Sequence, residues 1–268
     1  MFMRTPRGSN APAIQRYRDA TPAPIQLPRL LSQARLCVGS FTTTRTNLIL
    51  GATLASAFAA LSIVAAAHAG NPRVQPPQSH AYGKTRSEWV ASYWQWLLSI
   101  PADSNSLLDE TGEFCDVGQS GKVWFLAGVT GSGAVSVTRS CSVPAGKAVF
   151  FPIINTLWIS TPGDPGVDEI REIIGRITDH ATDLSCEIDG RLVQNIQQYR
   201  VASTVFAVDL PDNNIFGVAP GEYGPNVDDG FYLLLPPLPV GPHTIHIHGR
   251  LPPFNSILDV RYNLSVTP

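Results

Sequence analysis

The feature that most restricts the fold is the succession of short β-type segments from Ala148 to Val266, each bounded by turn residues. AVFFPII (148–154) is a continuous apolar run, the pattern of a strand buried on both faces. LSCEIDGRLV (184–193) places Asp189-Gly190 between alternating segments, a strong two-residue hairpin signal. QYRVASTVFAVDL, GFYLLLPP, PHTIHIHG and ILDVRYNLSV follow, separated by Pro-, Gly- and Asn-rich stretches. Short strands with frequent turn signals predict a mainly β fold: an antiparallel β-sandwich or jelly-roll-like single domain. The 22 Gly and 23 Pro, with 44% hydrophobic and 15% charged residues, agree with a folded, turn-rich chain.

Two peripheral helices interrupt this pattern. In KTRSEWVASYWQWLLSIP, Thr85 and Glu88 have capping-box spacing and Pro101 ends the helix. Trp89, Tyr93, Trp96, Leu97 and Ile100 form one stripe, widened by Val90 and Trp94, so this helix is expected to pack deeply. A carbohydrate platform would need those rings exposed. The second helix is expected in DPGVDEIREIIGRITDHATDL, with Asp164 as cap, Pro165 at N1 and an apolar face from Val167 to Leu184.

The charge is divided unevenly. Residues 1–69 hold seven arginines against Asp19, a net of +6, leaving 12 basic and 20 acidic residues in 70–268, a net of −8. An acidic body argues against nucleic-acid binding, which needs a basic surface. Leu48 to Ala67 is an uncharged run preceded by Arg45 and followed by Ala67-His68-Ala69, the layout of a secretory signal with cleavage after Ala69. Residues 1–44 are long for such a leader; a start nearer Val38 or an organelle transit segment are the two readings. The expected organisation is therefore 1–69 removed, 70–83 a Pro-rich lead-in and 84–268 the β-sandwich domain. The mature protein is expected to be secreted or periplasmic, with no stable membrane span.

Cys37 falls in the leader, leaving Cys115, Cys141 and Cys186. KVWFLAG and AVSVTRS, joined by Thr130-Gly131-Ser132-Gly133, read as a hairpin whose ends bring Cys115 and Cys141 together, so these two are expected to form a disulfide. Cys186 alternates with Leu184 and Ile188 and reads as a buried thiol.

The blocks YGKTRSEWVASYWQWLLSIP, CDVGQSGKVWFLAG, CSVPAGKAVFFPIIN, LPPLPVGPHTIHIHGR and DVRYNLSV resemble those of a group of uncharacterised secreted bacterial proteins. These have a Trp-rich helix block near the start and a GxHTIxxxG strand block near the end. The resemblance runs over most of residues 82–268. It implies export and one β-rich domain, and transfers no catalytic residue.

Candidate chemistry concentrates in two places. His246 and His248 share one face of a strand, and imidazoles so placed can bind Zn²⁺ or Cu²⁺ with nitrogens about 2 Å from the metal. If 231–235 and 243–248 pair as a hairpin, Asp228 continues that face as a third ligand; Asp229, His80 and His180 are alternatives. The bland reading is a polar strand face. The second place is GVAPGEYGPNVDDG (217–230), which reads as a long loop and hence a binding surface through Glu222, Tyr223, Asn226, Asp228 and Asp229. Nucleophile-elbow, P-loop, dinucleotide and H-E-x-x-H motifs are absent from the sequence.

The leading expectation is a protein that binds a ligand, glycan or envelope partner. The alternatives are a hydrolase or metal-dependent enzyme using the H-x-H strand, and an envelope-structural protein. N-terminal sequencing of exported protein should begin at Gly70; a start upstream of Leu48 would refute the leader assignment.

Overall fold

A computed structural model describes residues 72–268 together with the backbone of a short strand at the start of the chain. The apolar run Leu48–Ala67, the expected cleavage site and Cys37 lie outside the described residues. No helix among the described residues is long and apolar enough to cross a membrane.

The strands form two mixed sheets packed face to face, with two helices outside them. The first sheet contains β1 (Phe2–Arg4), β2 (Val123–Phe125), β4 (Ala148–Trp158), β7 (Arg200–Ala202), β8 (Phe206–Leu210) and β9 (Gly221–Leu235). The second runs in the order β3 (Gly133–Pro144), β11 (Ser256–Thr267), β10 (Gly241–Leu251), β5 (Thr182–Ile188) and β6 (Arg191–Leu192). β10–β11, β10–β5, β4–β9 and β5–β6 are antiparallel, whereas β3–β11, β2–β4 and β1–β4 are parallel. The sandwich is thus as expected, but it is not purely antiparallel.

The sequence explains the layering. Phe151, Ile153, Leu233 and Leu235 of the first sheet meet Val137, Ile245, Ile247, Val260 and Leu264 of the second in one core. Phe150, Leu157, Tyr232 and Leu234 point the other way, beneath helix α1 (Arg86–Leu98) and its Trp89, Tyr93, Trp94 and Trp96. β4 is therefore buried at every position, and its continuous apolar run is the record of two covered faces. The capping box forms: Glu88 N–H donates to Thr85 Oγ1 at 3.3 Å, and Thr85 N–H donates to Glu88 Oε2 at 2.7 Å. Tyr93 and Trp94 are fully buried, so α1 is a packing helix and not an exposed ring platform.

Three local expectations are corrected. KVWFLAG and AVSVTRS do not make a hairpin: β2 pairs with β4 in one sheet and β3 with β11 in the other, so Thr130–Gly133 carries the chain between sheets. Residues 231–235 and 243–248 do not pair either. Over 231–235 one edge of β9 pairs with β4, and the other is met by β7 at Phe231, by Arg86 at Tyr232 O and by Gln75 at Leu234 O, while Pro236, Pro237 and Pro239 lack the N–H groups that would extend a ladder. The second helix, α2 (Val167–Thr178), starts at Gly166 as cap. Asp164 instead accepts hydrogen bonds from Thr161 N–H at 2.9 Å and the Trp158 indole at 3.3 Å, and Leu184 belongs to β5.

Other expectations hold. Asp189 and Gly190, with φ of 51° and 70°, turn β5 into β6 in the left-handed conformations that a two-residue hairpin requires. Cys115 and Cys141 form a disulfide closing a 26-residue separation, which stabilises the fold by about 3 kcal/mol on a chain-entropy basis. Cys186 is a buried free thiol, and burial pushes its pKa up, away from reactivity.

At Gly230, β9 approaches β4 so closely that an added Cβ would lie 2.3 Å from Asn155 Cβ and 2.7 Å from Ile154 O. Gly230→Ala is therefore expected to destabilise the protein by about 1–3 kcal/mol. Urea unfolding checks this; an unchanged midpoint would show that the sheet relaxes freely here.

Candidate functional site

The segment 217–230 is not the long loop expected from the sequence. Gly221–Leu235 is strand β9, paired with β8 from Gly221 to Asn226 and with β4 and β7 from Val227 onward. Two of its polar residues, Asn226 and Asp228, are buried and satisfied inside the protein. Asn226 is fully buried, donating to Tyr223 O at 2.8 Å and accepting from Ser160 N–H at 3.0 Å. Tyr223 donates to Ala219 O at 3.0 Å, and Glu222 is exposed on the edge paired with Asp209. These residues do not converge on a common surface.

Asp228 is fully buried, and its two oxygens are already engaged. Tyr232 O–H donates to Oδ1 at 2.8 Å and Asn155 Nδ2 donates to Oδ2 at 2.7 Å. Asp228 therefore belongs to the interior of the first sheet, whereas His246 and His248 lie in the second, so it is not their third ligand. Burial pushes the Asp228 carboxyl up to about 7, against the opposing pull of the Asn155 and Tyr232 hydrogen bonds. Asn155 Oδ1 is buried without a partner. Turning that amide over would present Oδ1 to the carboxyl proton of neutral Asp228.

Asp229 faces the opposite way and holds an arginine. Arg200 Nε donates to its Oδ1 at 3.1 Å and an Arg200 terminal nitrogen to its Oδ2 at 2.9 Å, with Asp179 accepting from the other at 2.5 Å. Of the five expected binding residues, Asp229 is tied to a cleft through Arg200, which lines it.

That cleft has a volume of about 360 Å³ and lies between the lead-in segment, the first turn of α1 and β7. Ser79, His80, Arg86, Ser87, Gln198 and Arg200 line it, and no carboxylate does. Arg86 is 4% exposed and pairs with no acid among the described residues. Its guanidinium donates to Tyr232 O at 2.9 Å, Gln75 O at 2.7 Å and Pro76 O at 3.1 Å, while Nε has no partner. The cation also lies 5.6 Å over the Tyr199 ring, and burial lowers its pKa to about 10. Ser79 Oγ, beside it, is buried without a hydrogen bond. A positive charge desolvated without a counter-ion costs stability that an anion in the cleft would offset. The sequence carried little trace of this site, since Arg86 sits in the capping-box turn of a helix otherwise read for its apolar face.

His246 and His248 do share the outer face of the second sheet, as their alternation requires. Their carboxylate is Asp259, directly opposite His248 on β11. His246 Nε2 lies 3.1 Å and His248 Nδ1 3.4 Å from Asp259 Oδ2. His243 is engaged elsewhere, at 2.8 Å from Asp189. As the side chains stand, no three His, Cys, Asp or Glu among the described residues are gathered around a metal-sized position.

The raised pKa of Asp228 sets a pH dependence. The unfolded state releases this proton near pH 4, whereas the folded state keeps it to about pH 7. Its stabilising contribution is therefore complete below pH 4 and is lost as pH rises to about 7. Relative to wild type, Asp228→Asn should gain on the order of 3–4 kcal/mol between those limits. Chemical denaturation at pH 4 and pH 7.5 checks this; a pH-independent difference would mean that Asp228 is ionised in the fold.

In comparisons with known proteins, no family model, no curated protein and no solved structure matches this chain.

Proposed function

We propose that the protein acts outside the cytoplasm by binding a small anionic ligand in the Arg86 cleft, an acidic sugar unit or a phosphorylated or carboxylated envelope component. The observation that carries this reading is Arg86: a buried guanidinium with no acidic partner among the described residues, at a cleft whose lining also holds His80 and no carboxylate, while Arg200 beside it is already paired with Asp229 and Asp179. Guanidinium groups suit carboxylates and phosphates because their planar donors match two oxygens at once. The Cys115–Cys141 disulfide supports an oxidising compartment, as does the apolar leader read from the sequence.

Charge narrows the ligand further. The −8 of residues 70–268 repels a long polyanion at range, so the local positive cleft favours a compact anion or a single acidic unit of a glycan. The buried acids of β9 serve the fold and leave recognition to the cleft.

Titration calorimetry with glucuronate, inorganic phosphate and neutral glucose tests this. Glucuronate or phosphate should bind saturably and more weakly at high salt, and glucose should not bind. Gln198 is exposed at the rim, so Gln198→Glu should fold normally yet weaken anion binding about fivefold or more. Equal binding of glucose and glucuronate, or no effect of Gln198→Glu, would contradict the reading.

A further inference from the structure

The outer face of the second sheet holds a polar constellation that the cleft does not use. On β10, His246 and His248 point outward while Ile245 and Ile247 enter the core. On β11, Asp259 and Arg261 point outward while Leu258, Val260 and Tyr262 enter it. The antiparallel register sets Asp259 opposite His248 and Arg261 opposite His246, and β5 sets Glu187 opposite His246 on the other side. Three donor side chains thus stand on a rigid, twice-paired strand and its neighbour.

From this geometry we infer that His246, His248 and Asp259 form a binding site for a first-row divalent cation, Zn²⁺ or Cu²⁺. A tetrahedral ion with bonds of about 2.0–2.1 Å holds its ligand atoms about 3.3–3.4 Å apart. Two of the three edges already have that scale: His246 Nε2 to Asp259 Oδ2 is 3.1 Å, and His248 Nδ1 to the same oxygen is 3.4 Å. The remaining edge, imidazole to imidazole, closes by rotation of exposed side chains. The side chains of His246, His248 and Asp259 are 27%, 32% and 38% exposed, so nothing in the core has to move. Two imidazoles and one carboxylate are borderline donors that favour Zn²⁺ and Cu²⁺ over Mg²⁺ and Ca²⁺, which prefer all-oxygen shells. Three protein ligands leave a fourth position for water.

The neighbours have distinct effects. Arg261 approaches His246 Nδ1 at 3.5 Å as a donor, which favours the tautomer carrying hydrogen on Nε2. A metal on Nε2 needs the opposite tautomer, with Nδ1–H given to an acceptor. Arg261 therefore opposes the ion, both by its charge and by the tautomer it selects. Removing Arg261 should strengthen binding, an outcome that a merely decorative polar face does not produce.

The test uses the untagged, metal-stripped chain titrated with Zn²⁺, Cu²⁺ and Mg²⁺. One equivalent of Zn²⁺ or Cu²⁺ should bind and raise the thermal midpoint, and Mg²⁺ should do neither. His246→Ala, His248→Ala and Asp259→Ala should each weaken binding at least about tenfold, with Arg261→Ala tightening it. Asp228→Asn and His243→Ala should leave the affinity unchanged. Each exposed-site variant is checked for an unaltered metal-free thermal midpoint, which separates lost ligation from lost structure. Absence of stoichiometric binding, or binding that survives the His246→Ala/His248→Ala double variant, would overturn the inference.

Discussion

The guanidinium of Arg139 is the joint on which the sandwich depends. It leaves β3 in the second sheet and is 1% exposed. It donates to Asp109 O at 2.7 Å, Ala127 O at 2.9 Å, Gly128 O at 2.8 Å and Tyr262 O–H at 2.8 Å. Those carbonyls belong to the chain that has just left β2 in the first sheet and to the turns that precede it. Tyr262 O–H returns a bond to Ala127 O at 2.7 Å, closing the network. One cation thus satisfies backbone acceptors that would otherwise be buried and orphaned where the chain changes sheets. The Cys115–Cys141 disulfide holds the same turns to the same strand.

With that crossing fixed, the first sheet presents its other face to α1, and the placement of α1 makes the cleft. Arg86 is the first residue of the helix, so the contacts that seat Trp94 and Tyr93 on β4 and β9 also carry its guanidinium to Tyr232 O. The lead-in closes over it through Gln75 and Pro76, and Gln75 N–H donates to Leu234 O at 2.8 Å. Among the described residues no helix covers β10 and β11, and the histidines and Asp259 there are partly accessible. The two candidate sites therefore follow from one asymmetry: a helix covers one outer face of the sandwich, and no described helix covers β10 and β11 on the other.

The sequence disclosed what depends on near neighbours. The Thr85–Glu88 cap, the Asp189-Gly190 turn, the doubly buried β4 run and the alternation of His246 with His248 are encoded within a few residues, and each was legible. Which strands pair was not, because pairing is decided across the whole chain. KVWFLAG and AVSVTRS are adjacent in sequence yet lie in different sheets, and the same is true of β9 and β10. Asp228 and Asp229 read as part of a binding loop because their partners Tyr232, Asn155 and Arg200 cannot be recognised from spacing. Asp259 was hidden for the same reason, although a β10–β11 hairpin turning over Pro252–Asn255 would have aligned it with His248.

The proposed recognition lies in the Arg86 cleft, and the buried polar residues of β9, Asn226 and Asp228, serve the fold. Amide chemical-shift mapping during titration with glucuronate tests that division most directly. Saturable shifts should cluster at Gln78, Ser79, His80, Ser87 and Gln198, with Glu222 and Tyr223 unmoved. Shifts centred on Glu222–Asn226, or none at saturating ligand, would contradict it.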